Sequence, residues 1–155
     1  MVRQKQKGAA LSGLFGTNAV LITDINLLIQ IISFLMLLTG LAYKAKSQFK
    51  LHASFMGIAV SLHLISFLLA MAPSFIDAFK FFTTDMSFIG VQTIWVHAIA
   101  GAVALILGIL LVVAWILQSS NFKACIKRKR LMDITALLWT ISLIFGIATY
   151  LAFYL

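Results

Sequence analysis

Four stretches of this chain, at about residues 25–43, 51–72, 89–117 and 131–155, are almost wholly apolar for nineteen residues or more. At about 1.5 Å of rise per residue each is long enough as a helix to cross the ~30 Å hydrocarbon core of a bilayer. A chain of 155 residues that is 63% hydrophobic and 10% charged has no soluble interior large enough to hide those stretches. The expected fold is therefore all-α: an integral membrane four-helix bundle of up-down topology, one domain over residues 25–155. Residues 1–24 read as an N-terminal interfacial arm. They begin with Arg3, Lys5 and Lys7 like a signal peptide, but Gly8, Gly13, Gly16, Thr17 and Asn18 break the apolar run, and no convincing cleavage site follows.

Each span carries one stripe of polar or small residues at helical spacing. In the first it is Asn26, Gln30, Ser33, Leu37 and Gly40; in the second His52, Met56, Ala59, His63, Ser66 and Ala70. The third has His97, Gly101, Ala104 and Gly108, and the fourth Thr135, Trp139, Ser142, Gly146 and Thr149. Lipid cannot satisfy polar side chains, so these stripes should face the bundle interior, and the small residues should let helices approach closely. Pro73, the only proline, is expected to close the second span, because its ring cannot extend a helix.

Net charge is +8, with four Asp and no Glu. The basic residues cluster between spans, which favours anionic lipid headgroups over nucleic acid as their partner, above all for the run Lys127, Arg128, Lys129 and Arg130. The first loop holds Lys44, Lys46 and Lys50, the third the basic run, and the second only Lys80 against Asp77 and Asp85. Positive loops stay inside, so loops one and three are expected to be cytoplasmic, in a protein of the cell membrane. Asp133 reads as an electrostatic anchor in the first turn of the last span. Trp95, Trp115, Tyr43, Tyr150 and Tyr154 read as interfacial belt residues, and Trp139, deeper, as packed within the bundle. Cys125 has no partner for a disulfide.

The histidines are the candidate chemistry. His63 lies twelve residues from the inner start of its span, and His97 eight residues from the outer start of the next. Both therefore fall at roughly 12 Å from the outer boundary, on antiparallel helices. Two imidazoles at one level are what bis-histidine ligation of a haem b iron requires, with Gly101 and Ala104 leaving room for the macrocycle. The bland alternative is that both histidines are polar ties that pin the bundle; a proton-relay or substrate role is a third reading. His52, at the inner end of its stripe, is expected at the interface, bonded to a loop or a lipid phosphate. As a metal ligand it would have only Met132 for company. No nucleophile–base pair, paired carboxylates or phosphate-binding loop is present. A small transporter is disfavoured by the lack of paired broken helices.

Two stretches also resemble a known family. Residues 50–60 (KLHASFMGIAV) and 129–151 (KRLMDITALLWTISLIFGIATYL) are similar to the YozB-like group of small multi-span membrane proteins. His52 matches that family's histidine near the start of a span, and Trp139, Gly146 and Tyr150 match its closing pattern. The resemblance implies a layout related to four-helix b-type membrane cytochromes and a place in terminal-oxidase biology. Together these readings give a b-type-cytochrome-like protein serving electron transfer in a membrane oxidoreductase system. The alternative is a cofactor-free accessory or assembly subunit that works with other membrane subunits.

Overall fold

The computed structural model describes residues 14–15, 19–84, 86–117 and 128–154. Among them there are only helices: α1 (Leu21–Ala45), α2 (Phe49–Ser66), α3 (Ala72–Thr84), α4 (Ile89–Leu117) and α5 (Lys129–Tyr154), with a π-helical turn, Phe67–Met71, joining α2 to α3. Four helical segments are long and apolar enough to cross a membrane: Leu21–Ala45, Phe49–Thr84, Ile89–Leu117 and Lys129–Tyr154. The all-α four-helix bundle expected from the sequence is what forms, as an integral membrane protein.

The connection between α1 and α2 is only three residues, 46–48, so the two helices must run antiparallel side by side. Ser47 makes the turn in the left-handed region, with φ 58°. The Gln48 N–H reaches back to the Tyr43 carbonyl at 3.0 Å, which caps the last turn of α1 in the manner of a Schellman motif.

Pro73 does not close the second span; the helix continues through it to Thr84. A proline inside a helix clashes with the carbonyl four residues earlier, here that of Leu69. Leu69 lies within the π-helical turn Phe67–Met71, whose wider path carries that carbonyl away from the ring. At ~1.5 Å per residue, about twenty residues from Phe49 exhaust the bilayer core, so α3 projects beyond it. There Phe75 and Phe79 pack edge-on against Trp95 of α4, with ring centroids 5.5 and 6.4 Å away. The Trp95 indole N–H donates to the Phe82 carbonyl at 3.2 Å. Trp95, near the N-terminal end of α4, is thus a clamp on α3.

The apolar centre of the bundle consists of Leu37, Ala59, Val60, Ala104, Leu105 and Trp139, drawn from all four spans. Ala59 and Ala104 are fully buried, which brings α2 and α4 together. Gly108 continues that contact: a Cβ there would stand 3.0 Å from Val60 Cγ2. Large apolar side chains on the opposite faces, such as Leu35, Ile65, Ile99, Ile106 and Ile144, are exposed, as lipid-facing residues should be.

Candidate functional site

The polar stripes meet in pairs, and the pairing follows the order of the chain. In the first hairpin, α1 and α2 are joined by hydrogen bonds along their whole length. His63 Nδ1 lies 2.8 Å from Gln30 Oε1, and Gln30 Nε2 donates to Ser66 Oγ at 2.7 Å. The Ser66 hydroxyl donates in turn to Asn26 Oδ1. One layer nearer the loop, Ser33 donates to the Ala59 carbonyl at 2.8 Å; nearer still, His52 Nδ1–H donates to the Gly40 carbonyl at 2.8 Å. The stripe on α1 and the stripe on α2 therefore answer each other residue by residue.

The second hairpin, α4 and α5, is joined in the same way. His97 Nδ1–H donates to the Ser142 carbonyl at 2.8 Å, and the Ser142 hydroxyl donates back to the His97 carbonyl at 3.1 Å. One turn further out Thr149 donates to Thr93 Oγ1 at 3.1 Å. Missing side chains make this closeness possible. A Cβ on Gly101 would come 2.8 Å from Ser142 Oγ, and one on Gly146 2.8 Å from His97 Nδ1. In hydrocarbon each of these groups would be costly without a partner, so the layers favour one register of the two helices over its neighbours.

These contacts place the residues singled out in the sequence. His63 and His97 do come near each other across the bundle, close enough to interact electrostatically. Each ring is bonded through Nδ1 within its own hairpin, and the His63 ring also bonds the Gly101 backbone of α4, across the two hairpins. His63 also lies against Trp139, with ring centroids 4.8 Å apart. The space beside Gly101 is taken by Ser142, and Ala104 is part of the apolar centre. A macrocycle between the two histidines would require Trp139 and Ser142 to move. His52 is buried, 3% exposed, and bonded to α1 rather than to a loop, because Gly40 lets α2 come close enough for its carbonyl to be reached. Among the described residues no three His, Cys, Asp or Glu side chains gather into one group.

Two functional candidates escape the stripe reading. Asp24 is fully buried, and its Oδ1 accepts from the Tyr150 hydroxyl at 2.6 Å; Oδ2 has no hydrogen-bond partner among the described residues. Tyr150 is thus a buried tie between α1 and α5 and not a belt residue. Asp24 stands six residues before Gln30, about 120° round the helix from it, so it faces α5 and lies off the stripe that faces α2. Its only sequence signal is a carboxylate one turn inside an apolar run. Asp133 lies beyond the first turn of α5 and pairs with Lys44, in the last turn of α1, at 3.0 Å, its carboxylate half exposed. Of the four residues expected at lipid headgroups, Lys127 lies outside the described residues, as do Cys125 and most of the N-terminal arm.

Between the two hairpins, at the end of the bundle that carries the Lys46–Gln48 turn, lies a partly open cleft of about 90 Å³. His52, Met56, Trp115, Arg128, Met132 and Trp139 are among its walls, which are overwhelmingly carbon. His52 and Met132, paired in the sequence reading only as a remote possibility, line the same space.

Comparison of the chain with family models, with curated proteins and with solved structures gave no match.

Proposed function

We propose that this small membrane protein is a cofactor-free accessory or assembly subunit of a membrane oxidoreductase system. The observation that carries the reading is the use made of the two central histidines. His63 and His97 are each bonded through Nδ1 within their own hairpin, and the small residues beside them, Gly101 and Gly146, are packed against Ser142 and His97. Polar groups placed this way hold helices in register. The broad apolar faces that the bundle leaves exposed suit contact with lipid and with other membrane subunits. The resemblance to the YozB-like group directs the reading toward terminal oxidases.

The competing reading is a haem b between His63 and His97. What favours it is that His97, bonded through Nδ1 to a carbonyl oxygen, keeps Nε2 for a metal, the orientation that metal-ligating histidines take; the His63 ring would have to give up its bond to the Gly101 backbone.

One optical experiment separates the two. The accessory-subunit reading expects the protein, purified after expression with ample haem supply, to give no haem absorbance before or after dithionite. Membranes of a deletion strain should then show a lowered terminal-oxidase spectrum, restored by the wild-type gene and by His63→Gln in proportion to protein level. A low-spin b-type spectrum lost in both His63→Ala and His97→Ala would establish the haem reading instead. Unchanged oxidase in the deletion strain would remove the assignment to that system.

A further inference from the structure

The two hairpins part toward the end of the bundle that carries the Lys46–Gln48 turn. α2 and α4 still touch where Val60 meets Gly108, a Cβ on which would stand 3.0 Å from Val60 Cγ2. Beyond that contact, Ala53 and Met56 of α2 and Val112 and Trp115 of α4 become walls of the cleft. It follows α5 from Arg128 to Trp139, roughly 16 Å of helix from the bundle end toward mid-membrane. The volume of about 90 Å³ equals roughly six water-sized units; drawn out over that length, it is a slot the width of one hydrocarbon chain. Water fills such a slot poorly, because a buried water needs two to four polar partners and these walls are mostly carbon. Left empty, the slot would forfeit the dispersion contacts of its lining atoms. Within a bilayer, an acyl chain restores them.

Charge decides which lipid supplies the chain. Arg128 is itself one of the walls and is half-buried, and among the described residues its guanidinium has no carboxylate partner. The one carboxylate at this end among the described residues, Asp133, is already paired with Lys44 at 3.0 Å. Lys46, Lys50, Lys129 and Arg130 lie at the same end, all exposed. The cleft therefore joins a carbon interior to a mouth of uncompensated positive charge. A guanidinium holds a phosphate group through paired N–H donors, and the surrounding cations favour a headgroup with net negative charge.

We propose that this cleft is a lipid site: one acyl chain of an anionic phospholipid enters between the hairpins, and Arg128 holds its phosphate. The site goes beyond the accessory-subunit reading without depending on it.

The test is native mass spectrometry of the full-length protein, delipidated in detergent and titrated with phosphatidylglycerol or with phosphatidylcholine of the same acyl chains. One phosphatidylglycerol should bind saturably, about fivefold or more tighter than phosphatidylcholine. Arg128→Gln should weaken the anionic lipid about fivefold, the worth of one cation beside an anionic headgroup. Lys129→Gln, which removes an exposed charge that is not among the walls, should change binding less than twofold. Ala136→Phe and Ala53→Phe, each of which fills the slot, should abolish the tight site while every cation remains. Equal binding of the two lipids to wild type would show hydrocarbon filling with no choice of headgroup and overturn the proposal. Tight phosphatidylglycerol binding kept by both folded phenylalanine variants would also overturn it, since the lipid would then sit on the basic rim outside the cleft. Should neither of those variants fold, the contrast between Arg128→Gln and Lys129→Gln decides, and equal effects there would sink the site.

Discussion

The imidazole of His97 lies where a side chain at position 146 would stand. A Cβ added to Gly146 would come 2.8 Å from the ring's Nδ1 and 3.0 Å from its Cε1. The ring is held there by its bond to the Ser142 carbonyl, one turn before Gly146 on the same helix. Glycine at 146 is therefore a seat for the histidine, and the bend or slide needed to admit a methyl group would act on the α4–α5 contact directly.

Gly146→Ala should accordingly lower stability by about 1–3 kcal/mol, the usual cost of overpacking. Gly57→Ala is the control: nothing lies within 4 Å of a Cβ there, so it should be neutral or gain up to about 1 kcal/mol from the better helix former. Thermal unfolding in one detergent measures both. Equal losses in the two variants would show that the His97 seat is not what matters at position 146.

Gln30 is the hinge of the first hairpin's network, bonded to both His63 and Ser66. Gln30→Leu should cost about 1–3 kcal/mol, because it strands the buried His63 Nδ1–H and removes the bond to Ser66, whose hydroxyl keeps Asn26. A double-mutant cycle of Gln30→Ala with His63→Ala should return a coupling of about 0.6–1.7 kcal/mol, the range for polar contacts between membrane helices. Additive losses would mean that the two side chains do not act on each other.

Tyr150→Phe removes the partner of the fully buried Asp24 Oδ1 and leaves the carboxyl with no side-chain donor in the described structure. The expected loss is about 1–3 kcal/mol in unfolding experiments. Asp24→Asn, which still accepts from the tyrosine, should be milder than Tyr150→Phe. The opposite order would place the importance of Asp24 outside its bond to Tyr150.

Topology is testable with single cysteines in a Cys125→Ser background. Positions 46 and 77 are exposed and lie at opposite ends of the second span. With loop one inside, Lys46→Cys should resist a membrane-impermeant thiol reagent in intact cells, and Asp77→Cys should react. The reverse labelling would invert the orientation and move the Arg128 end of the cleft to the outer face.

The helices, their stripes and most of their ends were legible in the sequence, because a membrane makes a severe demand. An apolar run of given length must be a helix, and its polar positions must turn inward. Ser33, Ala59, His63, Gly101, Ala104, Trp139 and Ser142 are all buried, as that argument requires. Pro73 was expected to close the second span and does not. The sequence could not say that a π-helical turn just before it would absorb the clash and let the helix run on.

What the tertiary structure alone decided is which stripe meets which. Periodicity fixes the direction of a side chain round its own helix but carries no information about the neighbour on that side. His63 and His97 come near each other across the bundle, yet His63 finds Gln30 and the Gly101 backbone while His97 finds the Ser142 backbone. Asp24 was passed over because its partner, Tyr150, lies 126 residues away and about 120° from the face that the other polar residues of α1 define. The cleft beside Trp139 likewise exists only once two hairpins, each hydrogen-bonded along its own length, are laid against each other; there its walls are mostly carbon. Hydrogen bonds between helices are specific to the last ångström, and apolar contact is not, so it is between carbon walls that space remains.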